Sequence, residues 1–289
     1  TTRMRRATPP PKPRHNKDLK TKPTTHNTKT EIMNSKQPNY REFWENVAES
    51  SLHLKMHHPA TSDQIYRELV ERYFKKWINT NHTKNILKLD AYNEATHTNY
   101  TYYFLEKKIN VTYAEISSKI LKKAINKMKK DGHQAIIHPV QCDFRKLPFR
   151  DNSFDASCSF GSIEHVPEIE GTIHEQARVT KKGGTVIVAV PNLQNLFLRA
   201  PSVKLMDLLG QLSSFTNMER HFLPNQLTNI MRKIGLSRIE ISGYHLFPKQ
   251  LRWIDLWNEW HSGKRTKKIV RKILKLALHI FSAVEIRET

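Results

Sequence analysis

The chain has only two cysteines and nine glycines in 289 residues, and it is short of acid: 48 Lys and Arg stand against 27 Asp and Glu, for a formal net charge of +21. Cys142 and Cys158 both sit in apolar, strand-like runs, where a free thiol behaves as a small buried hydrophobe. Neither has the partners that a disulfide framework or a zinc site needs, so no metal centre is expected and a reducing cytoplasm is the expected setting. No run of about 18 uninterrupted apolar residues exists, which excludes a membrane-spanning helix within this sequence.

What is abundant is positive charge, and it is placed at the ends. Residues 1–37 carry ten Lys and Arg against Asp18 and Glu31, and residues 262–289 carry eight against Glu285 and Glu288. Residues 1–37 are rich in Pro, Thr and Lys with almost no large apolar side chains, so burial cannot offset their ordering entropy and a disordered basic arm is expected. Such an arm is either a plain solvated tail or a contact for the phosphates of nucleic acid or of an anionic membrane surface. It is Arg-rich and acid-poor like an organelle presequence but lacks the apolar face of one. The sequence opens on Thr1, so a trimmed or missing start is expected.

The rest, residues 38–289, reads as one α/β domain. Asn39–Ser51 and Ala60–Trp77 have helical spacing; in the second, Ile65, Leu69, Tyr73 and Trp77 recur four apart, with Ser62 and Asp63 as an N-cap signal. These N-terminal helices, within 38–84, should form a lid or collar over the sheet. Strands are expected at Asn85–Ala91, Asn110–Glu115, Gln134–Cys142 (interrupted by Pro139), Phe154–Phe160, Thr185–Val190 and Leu236–Gly243. Helices fall between them: around Asn99–Lys108, over Ser117–Lys130 with Ile120, Leu121, Ala124, Ile125 and Met128 inward, over Glu168–Thr180 and within His221–Gly235. Leu193–Ser213 is apolar and helical as well. Strands alternating with helices predict a doubly wound, mostly parallel sheet with ligands at the carboxyl ends of the strands.

The stretch Gln141–Asn192 carries the chemistry: QCDFRKLPFRDNSFDASCSFGSIEHVPEIEGTIHEQARVTKKGGTVIVAVPN. An acidic strand end, a strand, a Gly-Ser-x-Glu-His loop, a helix, a Lys-Lys-Gly-Gly turn and a strand stopped by Pro191 follow in order. This order, with the LPF-x-DNSFD segment, resembles the class I S-adenosylmethionine-dependent methyltransferases, and within them the small-molecule methyltransferase type 11 group. The resemblance implies a seven-stranded Rossmann-like methyltransferase fold, its last strand antiparallel and placed at Ser282–Arg287. It implies a cofactor-binding half over 85–192 and acceptor-side helices and strands over 193–289. S-adenosyl-L-methionine is the implied cofactor.

Glu115, closing the second strand about 25 residues after Asp90, stands where a carboxylate accepts hydrogen bonds from both ribose hydroxyls of a nucleotide-type ligand, with Ile116 beside it. By resemblance, Asp143 accepts from the adenine amino group and Phe144 packs near the ring, while Phe160 and Gly161 allow close approach to the methionine part. His165 is the candidate general base, since neutral imidazole suits proton removal at neutral pH; the alternative is a structural member of the loop.

The family's glycine-rich turn after the first strand is absent: the chain reads Asp90-Ala91-Tyr92-Asn93-Glu94-Ala95-Thr96. Either Asp90 and Glu94 bind the cofactor's ammonium beside a rerouted loop, or the site is lost and the fold kept. Three functions follow. The first is methyl transfer to a small-molecule or lipid-like acceptor in a pocket that draws on Trp253, Trp257 and Trp260. The second is non-catalytic binding of RNA or a membrane surface through the basic ends, with the amphipathic Lys264–Ser282 as an interfacial helix. The third, nucleic-acid methylation, lacks the Asn/Asp-Pro-Pro-aromatic signature after the fourth strand.

Overall fold

The computed structural model describes residues 39–56, 58–194, 219–243, 249–261 and 268–277. The expected arm, most of Leu193–Ser213 and the strand Ser282–Arg287 lie outside these residues. Three helices come first: α1 (Tyr40–Ser50), α2 (Leu52–Lys55) and α3 (Thr61–Trp77). Five strands follow: β1 (Asn85–Leu89), β2 (Asn110–Glu115), β3 (Ile137–Gln141), β4 (Phe154–Phe160) and β5 (Thr180–Ala189). Between and after them lie α4 (Tyr92–Ala95), α5 (Tyr102–Glu106), α6 (Ser118–Lys130), α7 (Ile169–Val179), α8 (Pro224–Lys233), α9 (Lys249–His261) and α10 (268–277).

All strands pair in parallel in the order β3-β2-β1-β4-β5. The chain works outward from β1 to β3, then returns to the other side of β1, so the winding reverses between β1 and β4 and opens a crevice at their carboxyl ends. Side chains alternate across the sheet as the two-residue strand period requires. Ile86, Val111, Tyr113 and Cys158 join one apolar layer with Val70 and Phe74 of α3, Phe104 of α5 and Ala124 of α6. Leu87, Leu89 and Ala114 join the other with Ile173 of α7 and the α8 side chains Leu227 and Ile230.

The seven-stranded expectation is corrected: the described residues form five strands. Leu236–Gly243 forms no ladder. Arg238 there takes φ 52°, which breaks an extended run. The segment is instead fastened to α3: Tyr73 donates to the Gly243 carbonyl at 2.7 Å, and Trp77 Nε1 donates to Glu240 at 2.9 Å. The core-facing stripe of α3 is Tyr66, Leu69, Val70 and Phe74, with Ile65, Tyr73 and Trp77 half-buried. The cap differs too. Ala60 is the N-cap, and Asp63 in the first turn accepts from its amide at 2.9 Å.

Two local features shape the sheet's edges. Pro139 lies in β3, an edge strand, where one missing N–H is tolerated. In β5 the residues between Thr180 and Thr185 loop out of register, because Phe154 pairs with Thr180 while Ala156 pairs with Thr185. Gly183 at φ 78° makes that loop possible, and a Cβ on Gly184 would meet the Asp155 carbonyl oxygen at 2.5 Å.

Gly184→Ala should therefore destabilise the fold by about 1–3 kcal/mol. Gly171→Ala, in α7 with open space around its Cβ, should stabilise it by up to about 1 kcal/mol. Urea unfolding of the two variants checks both signs.

Candidate functional site

The turn after β1 is built from charge rather than glycine. Lys88, on the layer shared with α3, α5 and α6, is fully buried. Its ammonium lies 2.9 Å from Asp90 Oδ1 and 3.3 Å from Glu94 Oε2. Burial alone would lower the lysine pKa, but the two carboxylates hold it above the ordinary range, so Lys88 stays charged. Asp90 takes φ 69°, a left-handed conformation that Asp tolerates better than most residues. Its carboxylate also accepts from the Tyr92 amide at 2.9 Å and from the Ser162 hydroxyl. Glu94 Oε1 accepts from the Thr101 amide at 3.1 Å and from its hydroxyl at 2.8 Å. The two residues read in sequence as acceptors for a ligand's ammonium thus hold the chain's own ammonium.

Glu115 closes β2 and is buried. Its Oε2 accepts from the Ala91 amide at 2.9 Å and its Oε1 from the Ser117 amide at 2.8 Å. Burial first, and the Asp90 charge second, push its pKa up to about 7 against the pull of those two amides. Across the β1 turn, the Tyr92 hydroxyl meets Ser51 Oγ at 2.9 Å, which ties α4 to the start of α2.

At the end of β3, Asp143 is engaged by Arg145, whose guanidinium donates at 2.6–3.1 Å. Burial would raise the Asp143 pKa, but the arginine bonds bring it below the usual carboxylate range. The same guanidinium lies 4.4 Å from the Tyr40 ring centroid, so α1 closes over Asp143, Phe144 and Ile116. The cavity left among Tyr40, Trp44, these three residues, Arg145 and Val166 is about 10 Å³, the room of one water. Glu45 anchors α1 there. It accepts from the Ser118 amide at 2.7 Å, the Lys119 amide at 3.2 Å and the Ser117 hydroxyl at 2.9 Å, at the N-terminus of α6 where backbone N–H groups are unpaired.

Past β4, Phe160 packs edge-on to Phe74 at 5.5 Å, and Gly161 follows at φ 75°. His165 is buried, its ring 5.4 Å from that of Trp44. Beyond β5, the Phe222 amide donates to the Pro191 carbonyl and the Arg220 amide to that of Glu164, setting residues 220–222 beside this loop. An open cleft of about 530 Å³ lies there, lined by Arg220, His221, Phe222, Gln226 and Ile230. Trp253, Trp257 and Trp260 line neither space; all three are exposed on α9. Lys88, Arg145 and Glu45 went unnoticed in the sequence. A lysine inside the apolar run Asn85–Leu89 was a readable signal, and Arg145 stands only two residues from Asp143, but Glu45 depends on tertiary packing.

Residues 96–188 match the family model described as a methyltransferase domain. The ubiquinone/menaquinone biosynthesis C-methyltransferase UbiE of Rhizobium meliloti is 28% identical over 153 residues, 48% of this chain and 59% of that protein. A phosphatidylethanolamine N-methyltransferase of Cereibacter sphaeroides is 33% identical over 81 residues, 28% of this chain and 40% of that protein. The matches thus span less than two thirds of these relatives. The solved YcgJ protein of Bacillus subtilis shares the fold at a TM-score of 0.53 and 16% identity, covering 70% of this chain and 81% of that one. The family match covers residues 96–188, under half of this chain, and S-adenosylmethionine is the cofactor that this likeness to methyltransferases implies. In this conformation the residues do not admit it: the strand-end carboxylates are bonded within the chain and α1 fills the crevice.

Removing the buried ammonium leaves Asp90 and Glu94 uncompensated, so Lys88→Ala should cost about 3–5 kcal/mol in thermal or urea unfolding. Glu115 gives a second test. Its pKa is raised on folding, so its contribution to stability is complete below about pH 4.5 and is lost as pH rises through about 7. Urea unfolding between about pH 5 and about pH 7.5 should show that fall, and Glu115→Gln should flatten it.

Proposed function

We propose that the protein transfers a methyl group from S-adenosylmethionine to a small-molecule or lipid-like acceptor, and that it does so from a conformation in which α1 has withdrawn. The observation that carries this reading is the coincidence of the methyltransferase-domain match, residues 96–188, with the strand ends bearing Glu115, Asp143 and Gly161. In the open form, Glu115 would hold the ribose and Asp143 with Phe144 the adenine. Phe160 and Gly161 would border the methionine part. His165 would come out from under Trp44 as a candidate base. The cofactor would supply the reactive methyl; the protein's task is to position the acceptor and exclude water. An acceptor of the quinone or phospholipid type accords with the relatives' names, and the open cleft lined by Arg220, Phe222 and Ile230 would be its entrance.

A second reading is a non-catalytic protein of this fold, acting in binding only. It draws on the Lys88 ammonium and the Tyr92 ring, which occupy the turn that glycines leave open in the family.

Calorimetric titration with S-adenosylmethionine and with S-adenosylhomocysteine decides between them. The first reading expects heat from the wild type, lost in Glu115→Ala and in Asp143→Ala. It also expects binding about tenfold tighter in Glu45→Ala, because a smaller share of molecules is then held closed. Silence in all of these proteins, with folded circular dichroism spectra, establishes the second.

A further inference from the structure

Helix α9 is turned inside out. Its inward positions are polar: Asp255 is 0% exposed and Asn258 2%. Asp255 accepts from the Ser62 amide at 2.6 Å, and Arg252 donates to Ser62 Oγ at 2.7 Å and to Asp63 at 2.9 Å, which pins this face to α3. Glu259 receives both arms of Arg271 from α10 at 2.7 Å. With its polar residues spent inward, the helix exposes Trp253 at 47%, Ile254 at 49% and Trp257 at 61%.

Helix α10 repeats the imbalance. Leu274 is buried and Val270 packs beside it, yet Ile269, Ile273 and Leu276 are 54–65% exposed on the adjoining arc. Of the large apolar side chains exposed among the described residues, most lie on these two helices; Leu193 and Ile241 are the others. An ordinary surface helix buries its apolar stripe and shows water its charges. Here the exposed charges are of one sign. Lys268, Lys272 and Lys275 are exposed, whereas Asp255 and Glu259, the acids of the two helices, are buried.

We propose that α9 and α10 dock the protein on an anionic bilayer surface. Tryptophan suits the head-group zone because its ring is apolar and its N–H can stay wet. Isoleucines on one arc with lysines on the other match a helix lying in the interface plane, where lysine stems reach back to lipid phosphates. Among the described residues α9 has 13 and α10 ten, short of the ~20 needed to cross, which suits helices lying on the membrane. A second copy of the chain is a poorer occupant, since two such faces would bring lysine against lysine. The surface stands apart from the methyl-transfer reading.

The test is co-sedimentation of the full chain with phosphatidylcholine vesicles, with and without phosphatidylglycerol. Two exposed-pair variants are compared: Trp253→Ser with Ile254→Glu, and Ile269→Glu with Ile273→Glu. The expected result is partition into the anionic vesicles, weakened about tenfold or more by at least one pair, with thermal unfolding unchanged. Equal partition of the wild type and both variants would assign binding to the basic ends and overturn the proposal. So would no partition at all, tighter binding to an RNA oligonucleotide that the variants abolish, or a dimer in light scattering that the variants split. Cofactor titration is read separately, so loss of one does not imply loss of the other.

Discussion

One buried ion cluster organises this molecule. A lysine placed mid-strand in a parallel sheet can remain charged only if acids follow it closely, and Asp90 and Glu94 do. Meeting that demand bends the chain at Asp90 into the left-handed region, turns the Ala91 amide toward Glu115 and starts α4 one residue later. The strand end is a cross-braced corner, and a buried ion pair of this sort fixes geometry more than it adds stability.

The second constraint is a helix end. The first amides of α6 have no intrahelical partners, and Glu45 from α1 supplies them with a carboxylate. Because α1 also meets Arg145 through Tyr40 and His165 through Trp44, one residue's bonds hold a whole wall against the strand ends. The two constraints are separable. The Lys88 cluster is fully buried and braces the sheet to the turn after β1, whereas the Glu45 contacts join α1 to the more exposed start of α6.

Much of the fold was legible because it is written in local pattern. Asn110–Glu115 and the apolar run Phe154–Phe160 coincide with β2 and β4, and the Lys-rich helix with Ile120, Leu121, Ala124 and Met128 inward is α6. The looped-out glycines before Thr185 were readable because only glycine accommodates both the φ of Gly183 and the contact at Gly184. The strand at Leu236–Gly243 was misread because its apolar residues carry no record of Arg238's φ or of Tyr73 and Trp77 reaching over from α3. For the site, residue types and strand-end positions were visible in sequence; their partners were not. Asp143 with Arg145 is two residues apart and could have been weighed, but Glu115 with Ala91 depends on how the turn after β1 is routed. Trp253, Trp257 and Trp260 were read as pocket lining, since residue type alone does not say which way a side chain points.

Pro139 has a consequence for how the molecule behaves among its own copies. It stands in the middle of β3, the sheet's outer rail, between exposed His138 and half-buried Val140. An incoming extended chain would find a gap in the row of donors there, with a rigid ring projecting from it. Among the described strands β5 is the opposite edge, so this device blunts sheet growth on the β3 side alone.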